Sequence, residues 1–276
     1  MITRFAPSPT GPLHLGHAWA AMVAAEHGDM LLRIEDIDRA RARPEWEAAI
    51  YADLRWLGLD WPEPVMRQSE RMAAYGTALD DLWARGVLFP CTCARRDVLA
   101  AASAPQEGAP LLGPDGVVYP GTCRGASRAG PRPEGVALRL DATAVDDLAW
   151  TEGDGIRVMG AVAFRATIGD PVLARRDLGT SYHLAVVVDD AAQGVSLVTR
   201  GADLADATPI HLALQALLGL PVPDYLHHDL VRDGTGRRLA KRDDAQALST
   251  YRDAGWTATD LKSALRRSRT APDLVL

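Results

Sequence analysis

His14-Leu15-Gly16-His17 sets two imidazoles three residues apart, where an Ala-rich helix is expected to begin. Residues at that spacing share a helix face, and a helix's first turn offers unpaired N–H groups and the positive end of its dipole. The tetrapeptide can therefore receive an anion, and Gly16, with no Cβ, lets a flat ring approach the backbone. The chemistry this suggests is nucleotide binding, with the imidazoles donating to phosphate oxygens as charge builds on the α-phosphorus. A second cluster, Arg237-Arg238-Leu239-Ala240-Lys241-Arg242, follows the Gly-rich turn Asp233-Gly234-Thr235-Gly236. Such a loop can close over a triphosphate. Taken singly, each feature is equally two half-exposed helix histidines and a solvated basic loop.

Cys91-Thr92-Cys93 and Cys123 supply three thiolates, one short of a tetrahedral zinc site, and Tyr119, four residues before Cys123, could add a phenolate oxygen. The alternative is three buried small hydrophobes. An odd number of cysteines, with no basic-then-apolar leader at the N-terminus, argues against a disulfide framework. His227-His228 has no partner at ligand spacing and is expected to be structural.

The elements that must position these groups follow from prolines, glycines and apolar spacing. Ile2 to Phe5 reads as a strand, ended by Ala6-Pro7-Ser8-Pro9-Thr10-Gly11-Pro12, which forbids helix. A helix then runs from Leu13 to near Gly28, both histidines in its first turn, and Leu31 to Ile34 is a buried strand. Pro44 opens a helix stopped by Gly58; Ser69 is expected to cap another, with Met72, Tyr75, Leu79 and Leu82 on one face. Strand, helix, strand, helix predicts an α/β protein with a parallel sheet. Residues 90–135, rich in proline and glycine and holding all three cysteines, read as a loop-rich insertion. The expected division is 1–89, the 90–135 insertion, 136–220 and 221–276. In the later parts Val136 to Leu140, Val195 to Thr199 and Tyr225 to Val231 read as strands, and Thr208-Pro209 starts a helix stopped by Gly219. Tyr182 to Asp189 is ambiguous by period.

At 276 residues, with 47% hydrophobic and 24% charged residues, the chain has the composition of a globular protein of one or two domains. Thirty basic against 36 acidic residues give a charge of −6, so nucleic-acid contact is expected to be local, with a modest salt slope. No apolar run approaches a membrane span; a cytoplasmic monomer with no membrane partner is expected. The only lysines among the 30 basic residues are Lys241 and Lys262.

Arg4-Phe5-Ala6-Pro7-Ser8-Pro9-Thr10-Gly11, then His14-Leu15-Gly16-His17 and Arg33-Ile34-Glu35-Asp36-Ile37-Asp38, resembles the opening of the glutamyl-tRNA synthetases, class I enzymes of Rossmann type. Arg238-Leu239-Ala240-Lys241-Arg242 resembles their second signature, departing at Ala240, where serine is common. The fold implied is an α/β Rossmann-type parallel sheet with an inserted zinc subdomain and a short C-terminal helical region that contacts the RNA stem. The resemblance assigns glutamate binding to Arg4, Phe5, Ala6, Pro7, Ser8, Glu35, Tyr182 and Arg200. Arg4 and Arg200 with the Tyr182 hydroxyl would hold carboxylate, and Glu35 the ammonium. ATP falls to His14, Gly16, His17, Arg238, Leu239 and Lys241, and catalysis to His14, His17 and Lys241. A glutamine side chain would leave a buried arginine unpaired, which predicts discrimination of roughly 10² to 10³ in favour of glutamate.

The spacing of Cys91, Cys93, Tyr119 and Cys123 resembles the zinc subdomain of the short glutamyl-queuosine tRNA(Asp) synthetases. Only Asp243 to Leu276 follow the second signature, and no helical anticodon-binding half is expected. The resemblance implies a ligase forming a carbon–oxygen bond, which activates L-glutamate with ATP and Mg²⁺ and transfers it to queuosine in tRNA(Asp), with one structural Zn²⁺. Two other readings stay open: a truncated glutamyl-tRNA synthetase charging a tRNA 3′ end, and a non-catalytic zinc-bearing RNA-binding module.

Overall fold

The computed structural model of the chain describes residues 1–102, 111–233, 246–268 and 270. Arg238, Leu239 and Lys241, expected to bind ATP, lie outside the described residues. The first part of the chain runs β1 (Ile2–Phe5), α1 (Leu15–Glu26), β2 (Asp29–Ile34), α2 (Pro44–Trp56), β3 (Met66–Arg67), α3 (Met72–Ala84) and β4 (Leu88–Cys91). Then come α4 (Arg95–Ala102), β5 (Leu112–Gly113), β6 (Gly116–Val117), β7 (Ala137–Leu140), β8 (Leu148–Glu152), β9 (Gly155–Met159), α5 (Ala161–Thr167) and β10 (Val172–Ala174). The last are α6 (Tyr182–Ala192), β11 (Leu197–Gly201), α7 (Thr208–Leu218), β12 (Asp224–His228), α8 (Leu248–Asp253) and α9 (Ala258–Arg267).

These elements form two compact units: Met1–Glu70 with Val195–Asp203 and Tyr225–Leu276, and Arg71–Gly194 with Leu204–Asp224. In the first, β1, β2 and β3 are parallel, with Arg4 opposite Leu31 and Ile34 opposite Arg67. Parallel strands need covered faces, and α1 is apolar nearly all round, burying Leu15, Ala18, Trp19, Ala21, Met22, Val23 and Ala24. α2 starts as its sequence dictates, with Pro44 at its first positions and Glu45 and Glu47 in the first turn, where the dipole favours acids. The unit's core joins Phe5, Leu32 and Ile34 to Ile50 and Leu54 and, from the C-terminal helices, to Leu248, Tyr251 and Leu261. Lys262 Nζ donates to the Leu57 carbonyl at 3.0 Å, closing the C-terminal end of α2.

The second unit is antiparallel where it is sheet: β7 pairs with β4 and β10, and β8 with β9. The alternation of elements carries no strand direction. The long excursion between β4 and β7 brings the chain back beside the strand it left, running the other way. α7 has the expected ends, Pro209 near its start and Gly219 in the left-handed conformation at φ 64°. Ser69 does not cap α3: the N-cap is Arg71. The Ser69 hydroxyl instead donates to Asp36 Oδ2 at 2.6 Å and its N–H to Oδ1 at 2.7 Å, two bonds that hold the loop after β2. Among the described residues no helix is long and apolar enough to cross a membrane.

Candidate active site and metal centre

In the first unit the ends of β1 and β2 open into loops that lace together. Glu35 N–H donates to the Pro7 carbonyl at 3.0 Å and Arg43 N–H to the Pro9 carbonyl at 3.0 Å. The proline-rich segment is thereby held in place, with Phe5 and Pro7 buried, Ala6 partly so and Ser8 exposed. Ligand sites in such folds lie beyond the carboxyl ends of parallel strands. The helix that follows starts two residues later than expected, at Leu15: His14 is its N-cap and His17 its third residue.

The two imidazoles are oriented by the helix itself. Gly16 N–H donates to His14 Nδ1 at 3.1 Å, and His14 N–H donates to His17 Nδ1 at 3.1 Å; the ring centroids are 3.8 Å apart. A neutral imidazole that accepts at Nδ1 carries its proton on Nε2. Both rings are thus Nε2–H donors at a helix N-terminus. A Cβ on residue 16 would stand 2.9 Å from His14 Cε1, so the flat ring that approaches Gly16 is the imidazole of His14.

Arg4, on β1, is buried and its Nη1 donates to the Thr199 carbonyl at 3.0 Å. Arg200, at the end of β11, is also buried; its Nε donates to His227 Nε2 at 3.1 Å and its guanidinium lies 5.4 Å from the Tyr225 ring centroid. His227, expected to be merely structural, therefore orients Arg200. Glu35 lies 3.5 Å from the guanidinium of Arg33, which is fully buried. Sequence reasoning named Glu35 and missed Arg33 as the group that fixes it. The signal was available: residues i and i+2 of a strand share a face. Tyr182 belongs to the second unit, half-buried at the start of α6, whose cap Ser181 Oγ accepts from Leu184 N–H at 3.4 Å.

The cysteines converge within the second unit. The three Sγ atoms lie within 4.8 Å of one another. Tyr119 Oη is 3.5 Å from Cys91 Sγ and 3.4 Å from Cys93 Sγ, and Cys93 Sγ is 3.5 Å from Cys123 Sγ. A zinc tetrahedron with three sulfur ligands and one oxygen has edges of about 3.5 to 3.8 Å, so this donor set fits Zn²⁺. The hydrogen bond from Tyr119, outweighing burial, holds the Cys123 thiol down at about 6, favouring the thiolate that a metal binds. Burial and the neighbouring thiols push the Tyr119 phenol well above its ordinary value, a shift that a bound cation reverses.

The cluster is braced from outside. The Arg139 guanidinium lies 3.9 Å from the Tyr119 ring centroid, while its Nη1 donates to the Asp170 carbonyl at 2.7 Å. Arg124, next to Cys123, pairs with the buried Asp170 at 2.7 Å, and Arg128 with Asp141 at 2.5 Å. With all four positions filled by protein, such a site leaves none open for chemistry.

Residues 1–273 match the family described as tRNA synthetases class I (E and Q), catalytic domain. The chain is 58% identical, over 95% of its length and 98% of the relative's, to the Glutamyl-Q tRNA(Asp) synthetase of Rhodobacter capsulatus. It is 43% identical to the protein of the same name from Nitratidesulfovibrio vulgaris, over 95% of the chain and 84% of that relative. The glutamate tRNA ligase of Elizabethkingia meningosepticum, solved in complex with its amino acid, superposes with a TM-score of 0.69 at 25% identity over 88% of this chain and 52% of that one. The chain thus spans about half the length of that solved structure.

Proposed function

Since the chain belongs to the class I tRNA synthetases for glutamate and glutamine, among those named Glutamyl-Q tRNA(Asp) synthetase, we propose that it activates L-glutamate with ATP and transfers it to queuosine in tRNA(Asp). The observation that carries this reading is the near full-length likeness to relatives of that name. The histidine corner and the paired buried arginines supply the chemistry it needs.

In the first step glutamate's α-carboxylate attacks the ATP α-phosphorus in line, forming a glutamyl-adenylate and releasing pyrophosphate. Little covalent work falls to the protein, so positioning and charge stabilisation carry the rate. His14 and His17 donate from Nε2 as neutral imidazoles to phosphate oxygens, and Lys241 adds a third donor, which is cationic. Gly16, Arg238 and Leu239 complete the nucleotide contacts. The charge of the triphosphate would be offset by Mg²⁺ bound with the nucleotide. Carboxylate binding is assigned to Arg4, Arg200 and Tyr182, and ammonium binding to Glu35, which Arg33 orients. Phe5, Ala6, Pro7 and Ser8 line the approach. In the second step a hydroxyl of the queuosine cyclopentenediol attacks the activated carbonyl, an ester forms and AMP leaves. Cys91, Cys93, Tyr119 and Cys123 hold zinc in a structural role.

The test is transfer of labelled glutamate to tRNA(Asp) with and without queuosine, followed by cleavage of the tRNA. Label in the anticodon-loop fragment, and only when queuosine is present, is expected. Label at the 3′ end would overturn the reading in favour of an ordinary charging enzyme.

A further inference from the structure

In the second unit Asp115, His183 and His211 form a chain of hydrogen bonds that the adenylation chemistry does not use. The Asp115 carboxylate lies 2.8 Å from His183 Nε2, and His183 Nδ1 lies 3.1 Å from His211 Nε2. Both rings are buried, at 6% and 3% exposure. An ionised carboxylate only accepts, so His183 carries a proton on Nε2. In the neutral ring Nδ1 is then an acceptor, and the hydrogen between the two rings belongs to His211. The chain runs in one direction and ends on Asp115, which fixes both tautomers and both ring planes.

The turn that carries Asp115 is anchored two residues before it. Asp115 sits at the turn between β5 and β6, and Gly113, just before it, is packed so closely that a Cβ there would stand 2.5 Å from the Thr167 carbonyl oxygen. Only glycine allows this approach. The far end of the chain meets Tyr182: its ring centroid is 5.4 Å from that of His183 and 5.8 Å from that of His211. A ring backed by two imidazoles that cannot themselves rotate is confined to one rotamer.

We propose that Asp115, His183 and His211 are positioning residues that hold the Tyr182 ring and thereby set the affinity for glutamate. This rests on the assignment of Tyr182 to carboxylate binding made above. The segment that supplies the metal ligands also supplies the relay, because Asp115 lies four residues before Tyr119. Misplacement of a binding group by a fraction of an ångström weakens the bound state without removing a reacting atom.

The experiment is steady-state ATP–pyrophosphate exchange on the full chain, with glutamate and ATP varied separately. Asp115→Ala and His211→Leu are expected to raise the glutamate KM about tenfold and to leave kcat and the ATP KM within about twofold. Asp115→Asn keeps an acceptor and His211→Gln keeps a donor, so each is expected to return the glutamate KM to within about threefold of the parent. Because the relay acts through Tyr182, Asp115→Ala in a Tyr182→Phe background is expected to add nothing. Asp115 is exposed at a turn, so its variants report on folded protein, which thermal melting checks. An unchanged glutamate KM in both relay variants of an active parent would overturn the proposal, as would an equal rise in the Tyr182→Phe background. A folded parent with no exchange at all would remove the functional reading on which it rests.

Discussion

The histidine corner of the first unit and the cysteine cluster of the second are assembled by opposite means. His14 and His17 are oriented by N–H groups of their own turn, so the stretch of chain that carries them also positions them. The cluster draws its donors from residues 91 to 123, and their convergence is braced by Arg124, Arg128 and Arg139 against Asp141 and Asp170. A local site keeps its geometry when distant contacts weaken. A non-local one is as stable as the fold around it or the ion within it. Reactivity and stability are therefore expected to separate between the two regions.

The variant that separates them most is Lys241→Ala. Loss of one transition-state cation is expected to lower exchange by roughly 10² to 10³ with metal content and melting temperature unchanged; a drop in either would break the comparison from the first side. Cys91→Ala, which opens the cluster, is expected to abolish stoichiometric zinc and to destabilise the protein by about 3 kcal/mol or more, read in metal analysis and denaturant melts. The ATP KM of the fraction still folded is expected to stay parental, and a tenfold change there would break the comparison from the second side. Gly16→Ala puts a Cβ 2.9 Å from His14 Cε1 and must displace the ring, so kcat is expected to fall by about tenfold with no change in zinc. Arg266→Ala serves as the baseline. Its pair with Glu26 is 2.6 Å long but 55% and 38% exposed, so a stability change below about 0.5 kcal/mol is expected in any buffer.

The same division decides what could be read in the chain. β1, α2 and α7 start or stop at prolines and glycines whose backbone restrictions are local, and their limits were legible. Ser69 carried the local signature of a cap, but a carboxylate 33 residues away, Asp36, takes both its donors. Tyr182 to Asp189 showed no period because α6 is buried on nearly every side, leaving no polar face to mark the turns. His14 and His17 were legible as a pair. That each accepts at Nδ1 was not, since a tautomer follows from partners rather than residue type. Arg33 beside Glu35 could have been found from strand alternation, whereas His227 beside Arg200 is a contact across 27 residues with no sequence mark. Lys262 stood out by rarity and proves to close a helix end.

The central claim is that this chain builds a glutamate-activating site. Glutamate-dependent ATP–pyrophosphate exchange on the purified protein, with no tRNA added and with Lys241→Ala as control, measures it directly. Exchange that requires glutamate, proceeds without tRNA and is lost in the variant is the predicted result. Exchange that appears only with tRNA, or none with or without it, would contradict the account.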